Sequence, residues 1–246
     1  MQAMTIEDVL KATGGTLLSG DIHQTFNDVI SDSRKVTAGV LFVPLVGEKF
    51  DEFIKAAFDL GASAVLTQRD TELLVDKTIV KVEDTLKAFG DIAKYYKQKY
   101  NVPTVSVTGS VGKTTTKDML ASVLSQKYNT LKTMGNFNNE IGLPITIFGL
   151  EKEHEAAVLE MGMNHFGEIE HLADIGRPDV AVITNIGQSH IENLGSREGI
   201  FKAKMEMTKL FTKDNTLIVN GDDDYLSKTK GMGEYKVVYY GITNPE

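Results

Sequence analysis

The chain has 246 residues, enough for about one or two domains. Its 26 basic and 34 acidic residues leave a formal charge of −8, which argues against a nucleic-acid partner, since such binding needs a basic face. With 41% hydrophobic and 24% charged residues the composition is that of an ordinary globular protein, and the lack of cysteine excludes disulfides, thiolate metal sites and a cysteine nucleophile.

Residues 5–14 read as a short helix, with Thr5 as N-cap, Glu7 and Asp8 in the first turn and Gly14 as the stop. Residues 40–46 are a short apolar run ended by Gly47, hence a buried strand. Residues 51–60 carry Phe53, Ile54, Ala57, Phe58 and Leu60 at helical spacing, and Gly61 ends them. Strands follow at 64–67 and 79–82, then a long amphipathic helix at 85–100. No apolar run approaches the ~18–20 residues of a membrane span, so no membrane insertion is expected. The start, Met1-Gln2-Ala3-Met4-Thr5, lacks the basic and apolar regions of a signal peptide, and a cytoplasmic location is expected.

A domain boundary is expected at Asn101-Val102-Pro103. Residues 1–100 then form a small α/β domain. From residue 101 to 246 the pattern becomes strand, Gly-rich turn, helix, with strands at 156–161, 180–185, 216–220 and 236–240 and helices at 114–127 and 196–211. Such alternation predicts a second α/β domain of P-loop type, a mostly parallel sheet with helices on both faces.

Val105-Ser-Val-Thr-Gly109-Ser110-Val111-Gly112-Lys113-Thr114-Thr115 is the strongest chemical signal. A β-run enters a glycine turn, and a helix opens at Lys113. Backbone N–H groups of such a turn, with the positive helix end, cradle phosphates. Lys113 can reach the β- and γ-phosphates of a nucleotide, and the Thr114 hydroxyl can ligate Mg²⁺. The usual pattern has a further glycine at position 107, where this chain has Val107. A chance Gly-Lys-Thr at a helix start is the competing reading, and the strand–turn–helix setting argues against it.

Three more residues sit just past parallel strands, at the edge where such sheets bind ligands. Glu160 ends an apolar run and can support a metal ion, or merely cap the next helix. His190 follows 182–189 and is a candidate ligand, or an ordinary surface histidine. Asn220, before Gly221 and Asp222, can hold a ribose hydroxyl, or only shape an acidic turn.

Together these segments resemble the Mur ligases of peptidoglycan synthesis. The likeness is carried by the loop 108–115, by Asn136-Phe-Asn138-Asn139-Glu140-Ile-Gly142-Leu-Pro144, and by Leu159-Glu160-Met-Gly162 with Gly167-Glu168-Ile169. Thr184-Asn185-Ile-Gly187, His190, Leu194-Gly195-Ser196, Lys202-Ala-Lys204 and Glu206 continue it. Within the family, the Asn-Asn-Glu-Ile-Gly-Leu-Pro run and Met161-Gly-Met163 are most similar to the type that joins D-alanyl-D-alanine to UDP-N-acetylmuramoyl-tripeptide. Ser31-Asp32-Ser33-Arg34 followed by 39–47 resembles the family's uridine-diphosphate domain, and Ser33 and Arg34 are sensible donors to a uracil carbonyl or a diphosphate. Two departures stand out. The family's Asp-Gly-His after the Gly-Glu loop is replaced by Glu48-Lys-Phe-Asp51, and Asn164-His165 stands where small or polar residues are usual. The family's amine-binding domain is not within these residues, so the chain is read as a fragment.

The resemblance implies an ATP-driven amide ligation. A substrate carboxylate attacks the γ-phosphate to give an acyl phosphate, and the amine of D-alanyl-D-alanine then displaces phosphate. It implies that Gly109, Ser110, Val111, Gly112, Lys113, Thr114 and Thr115 hold the nucleotide, with Asn139 near its phosphates and Asn220 near the adenosine. Mg²⁺ would sit on Thr114 and Glu160, and a second ion on His190. Lys204 is similar in place to the lysine that these ligases carbamylate, and the carbamate would be an oxygen ligand for Mg²⁺. A monomer is expected. The rival readings are a P-loop kinase or switch, which explains only 109–115; a sister ligase such as the folylpolyglutamate type; and a fragment that binds nucleotide or UDP-sugar without ligase activity by itself.

Overall fold

Two units divide the chain: Met1–Tyr100 with Ile147–Lys152, and Asn101–Thr146 with Glu153–Glu246. They are seen in a computed structural model that describes residues 1–45, 50–70 and 76–243.

In the first unit β1 (Met4–Thr5) leads into α1 (Ile6–Thr13). The predicted caps are both present. The Thr5 hydroxyl accepts from the Asp8 N–H, the Asp8 carboxylate accepts from the Thr5 N–H, and Gly14 closes the helix at φ 66°. Then come β2 (Thr16–Ser19), β3 (Thr25–Phe26), β4 (Asp28–Ile30), β5 (Val40–Phe42), α2 (Phe50–Asp59), β6 (Ala64–Thr67), β7 (Thr78–Lys81) and α3 (Thr85–Gln98). The two short strands β1 and β3 pair antiparallel. The other five form one sheet in the order β2-β7-β6-β5-β4, parallel except for β2. One face of β5, β6 and β7 buries Val40, Phe42, Val65 and Ile79 against Ile54 and Ala57 of α2. The returning segment 147–152 packs Phe148 edge-on to Phe89, and its Leu150 carbonyl accepts from the buried Tyr96 hydroxyl at 2.6 Å.

The strand expected over 40–46 ends at Phe42. Val43 adds one more bond, its N–H donating to Ile30, and Pro44 then has no N–H to continue the ladder. Val46 and Gly47, and Glu48 and Lys49 of the shortened stretch, lie outside the described residues.

The second unit runs β8 (Thr104–Thr108), α4 (Lys113–Leu124), β9 (Thr130–Lys132), α5 (Gly142–Phe148, its last two residues counted in the first unit), β10 (Ala156–Glu160), α6 (Glu168–Gly176), β11 (Val180–Ile183), α7 (Ile191–Leu194), α8 (Arg197–Met205), β12 (Thr216–Asn220) and β13 (Lys236–Tyr240). The sheet order is β13-β12-β11-β8-β10-β9, and every pairing is parallel. Val107, Val158 and Val182 of the three central strands pack on Ala121, Leu120 and Leu124 of α4. β10 is buried along its whole length, which is why it reads as an unbroken apolar run ending in one acid.

The helix expected over 196–211 stops at Met205 and tightens into a 3₁₀ turn, Glu206–Thr208. The carboxylate of Glu206 turns away to accept from the N–H groups of Gly167 and Glu170 at the start of α6, at 2.9–3.4 Å. Among the described residues no helix is long and apolar enough to cross a membrane.

Candidate active site

The strand order reverses on either side of β8. The loops after β8, β10, β11 and β12 therefore meet at one carboxyl-end edge, where ligands of open parallel sheets bind. All the second unit's predicted site residues but Asn139 and Lys204 lie on these four loops, their strand ends or the helix they open into.

The loop after β8 is built around a close approach. Gly109 lies at φ 152°, and a Cβ there would fall 1.9 Å from the Thr184 hydroxyl oxygen. That hydroxyl donates to the Val111 carbonyl at 2.6 Å, and the same carbonyl accepts from the Asn185 amide. The Val111 N–H in turn donates to the Asn185 side-chain oxygen. Ser110 is held on both sides: its N–H donates to the Asn185 carbonyl, and its Oγ accepts from the Gly187 N–H at 2.8 Å. The loop after β11 is thus a cradle for the loop after β8. Gly112 caps α4 at φ 81° with no side chain over the helix end, leaving that end open to an anion.

Lys113 folds back so that its Nζ donates to the Gly109 carbonyl at 2.9 Å. Burial lowers its pKa, and the negative charge of Glu160 works against that shift. Thr114 and Thr115 stand exposed in the first turn of α4. Glu160 is 1% exposed, an extreme position for a carboxylate. One oxygen accepts from the Asn138 amide at 2.8 Å, and the other, buried, has no partner among the described residues. Asn138 lies in the Asn136–Pro144 run, next to the residue the family resemblance puts near the phosphates. The Asn139 side chain instead caps α5, accepting from the N–H groups of Ile141 and Gly142.

Lys204, on α8, is 2% exposed. Burial, and then repulsion from Lys113, bring its pKa from the ordinary lysine range down to about 7. Of the two lysines of α8, Lys202 is the solvent-facing one, paired with Glu198 at 2.7 Å. His190 opens α7 at φ 64°, one of two non-glycine residues with positive φ among the described residues. Asn220 turns its side-chain oxygen onto the Asp222 N–H. The neighbouring Asp223 binds the Ile186 N–H at 2.8 Å, tying this turn to the loop after β11.

The donor set suits a hard cation. A buried carboxylate oxygen with no partner is costly unless something positive meets it. Among the described residues no cluster of three His, Asp or Glu could hold a metal alone.

In the first unit the loop before β5 lines a cavity of about 190 Å³ with Ser31, Asp32, Ser33, Phe42, Leu45 and Phe53. Ser33 is on its wall. Arg34 is not: its guanidinium grips Asp32 with two bonds of 2.9 and 2.8 Å and is otherwise exposed, holding the Asp32 carboxyl down to about 2.

The Mur ligase middle domain family matches residues 107–246. The UDP-N-acetylmuramoyl-tripeptide–D-alanyl-D-alanine ligase of Bacillus subtilis is 43% identical over 242 residues, covering 94% of this chain and 53% of that protein. The Escherichia coli protein of the same name is 40% identical over 240 residues, covering 96% and 52%. Among solved structures, MurF from Acinetobacter baumannii matches with a TM-score of 0.91 at 33% identity, over 98% of this chain and 54% of that one. MurF ligase from Thermotoga maritima in complex with ADP gives 0.80 at 36% identity, over 87% and 50%. The chain spans about half the length of the curated relatives it matches. A parallel sheet with this loop, this buried acid and this family match over more than half its length belongs to the Mur ligase family.

Proposed function

We propose that this chain carries the ATP-binding and UDP-substrate-binding parts of an ATP-dependent ligase. The ligase joins D-alanyl-D-alanine to UDP-N-acetylmuramoyl-tripeptide through an acyl phosphate. The observation that carries the proposal is the unpartnered oxygen of buried Glu160, on a strand beside the Gly109–Thr115 loop with the Lys113 charge nearby. The relatives named for this reaction supply its substrates.

On this reading the loop N–H groups and the open end of α4 bind the ATP phosphates, and Lys113 leaves the Gly109 carbonyl to meet the transferred one. Thr114 and Glu160 would hold Mg²⁺, with His190 and a carbamylated Lys204 toward a second ion. Bound there, Mg²⁺ neutralises charge developing on the phosphoryl oxygens. A lysine titrating near 7 is half neutral at neutral pH, and only the neutral amine attacks CO₂, its nitrogen losing one proton as the carbamate forms. Asn220 would lie near the adenosine, and Asn139, whose side-chain oxygen caps α5, would lie near the phosphates. The Ser31–Ser33 cavity is of a size for one flat ring, so Ser33 would face the uracil, with Arg34 at the diphosphate. The protein would work in the cytoplasm as a monomer.

Calorimetric titration of the chain with ADP and with UDP-N-acetylmuramoyl-tripeptide tests this. Both are expected to bind, one to each unit. ADP binding with no response to the UDP-tripeptide would reduce the chain to a nucleotide-binding module and overturn the ligase reading.

A further inference from the structure

We infer that Thr133 and Lys117 are positioning residues that set the height and direction of the Glu160 carboxylate. The inference rests on the reading of Glu160 as a metal-supporting acid. Its observation is a break in the sheet ladder where β9 ends. Thr133 donates its N–H to the Val158 carbonyl at 3.0 Å, as the next rung of the parallel β9–β10 pairing would. The following rung of a regular ladder would run from the Glu160 N–H to the Thr133 carbonyl. It is not made. The Glu160 N–H donates instead to the Thr133 hydroxyl at 3.0 Å. The carbonyl so released accepts from the Lys117 ammonium at 2.9 Å.

The exchange is costly enough to need a reason. Lys117 is 2% exposed and Thr133 0%, so a cation and a hydroxyl are both held out of water at this one point of the ladder. Lys117 lies one turn beyond Lys113 on α4, and its charge is met by Asp118 at 3.3 Å, which also pairs with Lys132 of β9 at 2.8 Å. Two links therefore pin α4 to the end of β9. One of them passes on through the Thr133 hydroxyl to the backbone of Glu160. The helix that begins at the phosphate loop is thereby locked in register with the acid across the site. With the Asn138 amide on one carboxylate oxygen, the other is left bare in a fixed place.

The test is the Mg²⁺ dependence of ADP affinity, read as the ratio of dissociation constants in EDTA and in Mg²⁺. Thr133→Val keeps the shape and removes the hydroxyl, and Thr133→Ser keeps the hydroxyl. The valine variant is expected to lose about fivefold of the Mg²⁺ advantage, the scale of one hydrogen bond, while its EDTA affinity stays that of the unmodified chain. The serine variant is expected to restore the ratio. Should Thr133→Val fail to fold, Thr133→Ala only removes atoms and gives the same reading. Glu160→Gln separates the two levels. If it abolishes the Mg²⁺ advantage while Thr133→Val and Thr133→Ala leave it intact, the positioning role is overturned and the metal reading stands. If Glu160→Gln itself changes nothing, the metal reading falls and takes the positioning role with it.

Discussion

Two lysines of the second unit, Lys113 and Lys204, lie close enough to repel each other and cannot both be comfortable there. Lys113 is half-buried beside an acid, whereas Lys204 is fully buried beside Lys113. The sign of the consequence is fixed. The Lys204 pKa is about 7 in the folded chain and near the ordinary 10.5 when unfolded, so the unfolded state holds the extra proton between those values. The penalty is full below pH 7 and fades as pH rises toward 10.5. In CO₂-free buffer Lys204→Met is expected to stabilise the chain at pH 6 by a few kcal/mol, on the order of a buried charge removed. That gain should shrink by about 1.4 kcal/mol per pH unit above pH 7. Urea unfolding of both proteins at pH 6 and pH 9.5 measures it, and a gain independent of pH would count against a buried charge at this position. Lys113→Ala is a different case, because on the proposed reading that side chain meets the nucleotide phosphates. The fold is expected to survive, with ADP affinity lower by about 10–100-fold, the worth of a charge-assisted contact to phosphate. Near-unchanged affinity in a folded variant would remove Lys113 from the phosphate site.

At the scale of elements, the glycines of the Gly109–Thr115 loop separate two physical effects. Gly109 cannot take a side chain because Thr184 stands in its place, whereas Gly112 has open space around it and only its φ of 81° to protect. Gly112→Ala should therefore cost about 1–2 kcal/mol of backbone strain alone. Gly109→Ala must also displace the Thr184 hydroxyl from Val111, which adds about 1–3 kcal/mol of overpacking. Thr184→Ala made in the Gly109→Ala background should recover part of that loss, and no recovery would place the strain elsewhere. The strand–glycine–helix motif was legible in sequence because its demands are local. So were α1 with both its caps, the strand at 64–67, and the strands at 216–220 and 236–240. What was not legible depends on distant partners. The helix expected to reach residue 211 ends at Met205 because the carboxylate of Glu206 caps α6, about forty residues earlier in the chain. Asn138 rather than Asn139 meets Glu160, and nothing in an Asn-Asn pair says which one faces the acid. Short strands such as β3, β4 and β9 carry too few residues for any periodicity to show.

On the scale of the whole molecule, the chain has two units with separate cores, and the proposed chemistry divides between them. One holds the Ser31–Ser33 cavity, walled by Phe42, Leu45 and Phe53. The other holds the Gly109–Thr115 loop, Glu160 and Lys204. A division of this kind predicts independent ligand sites, so each variant should move one affinity only. Phe53→Ala strips an aromatic wall from the cavity and should weaken UDP binding by about tenfold, the scale of a lost ring contact and its buried area. It should leave ADP untouched. Lys113→Ala should do the reverse. The measurement is a pair of calorimetric titrations on each variant, UDP with ADP absent and then present at saturation. In the unmodified chain saturating ADP should leave the UDP isotherm in place with a stoichiometry of one. Displacement of UDP by ADP would mean that both nucleotides use the phosphate loop, and the cavity beside Ser33 would lose its assignment. Retention of both ligands with each variant silent on the opposite site would fix uridine recognition in the first unit and adenine-nucleotide recognition in the second.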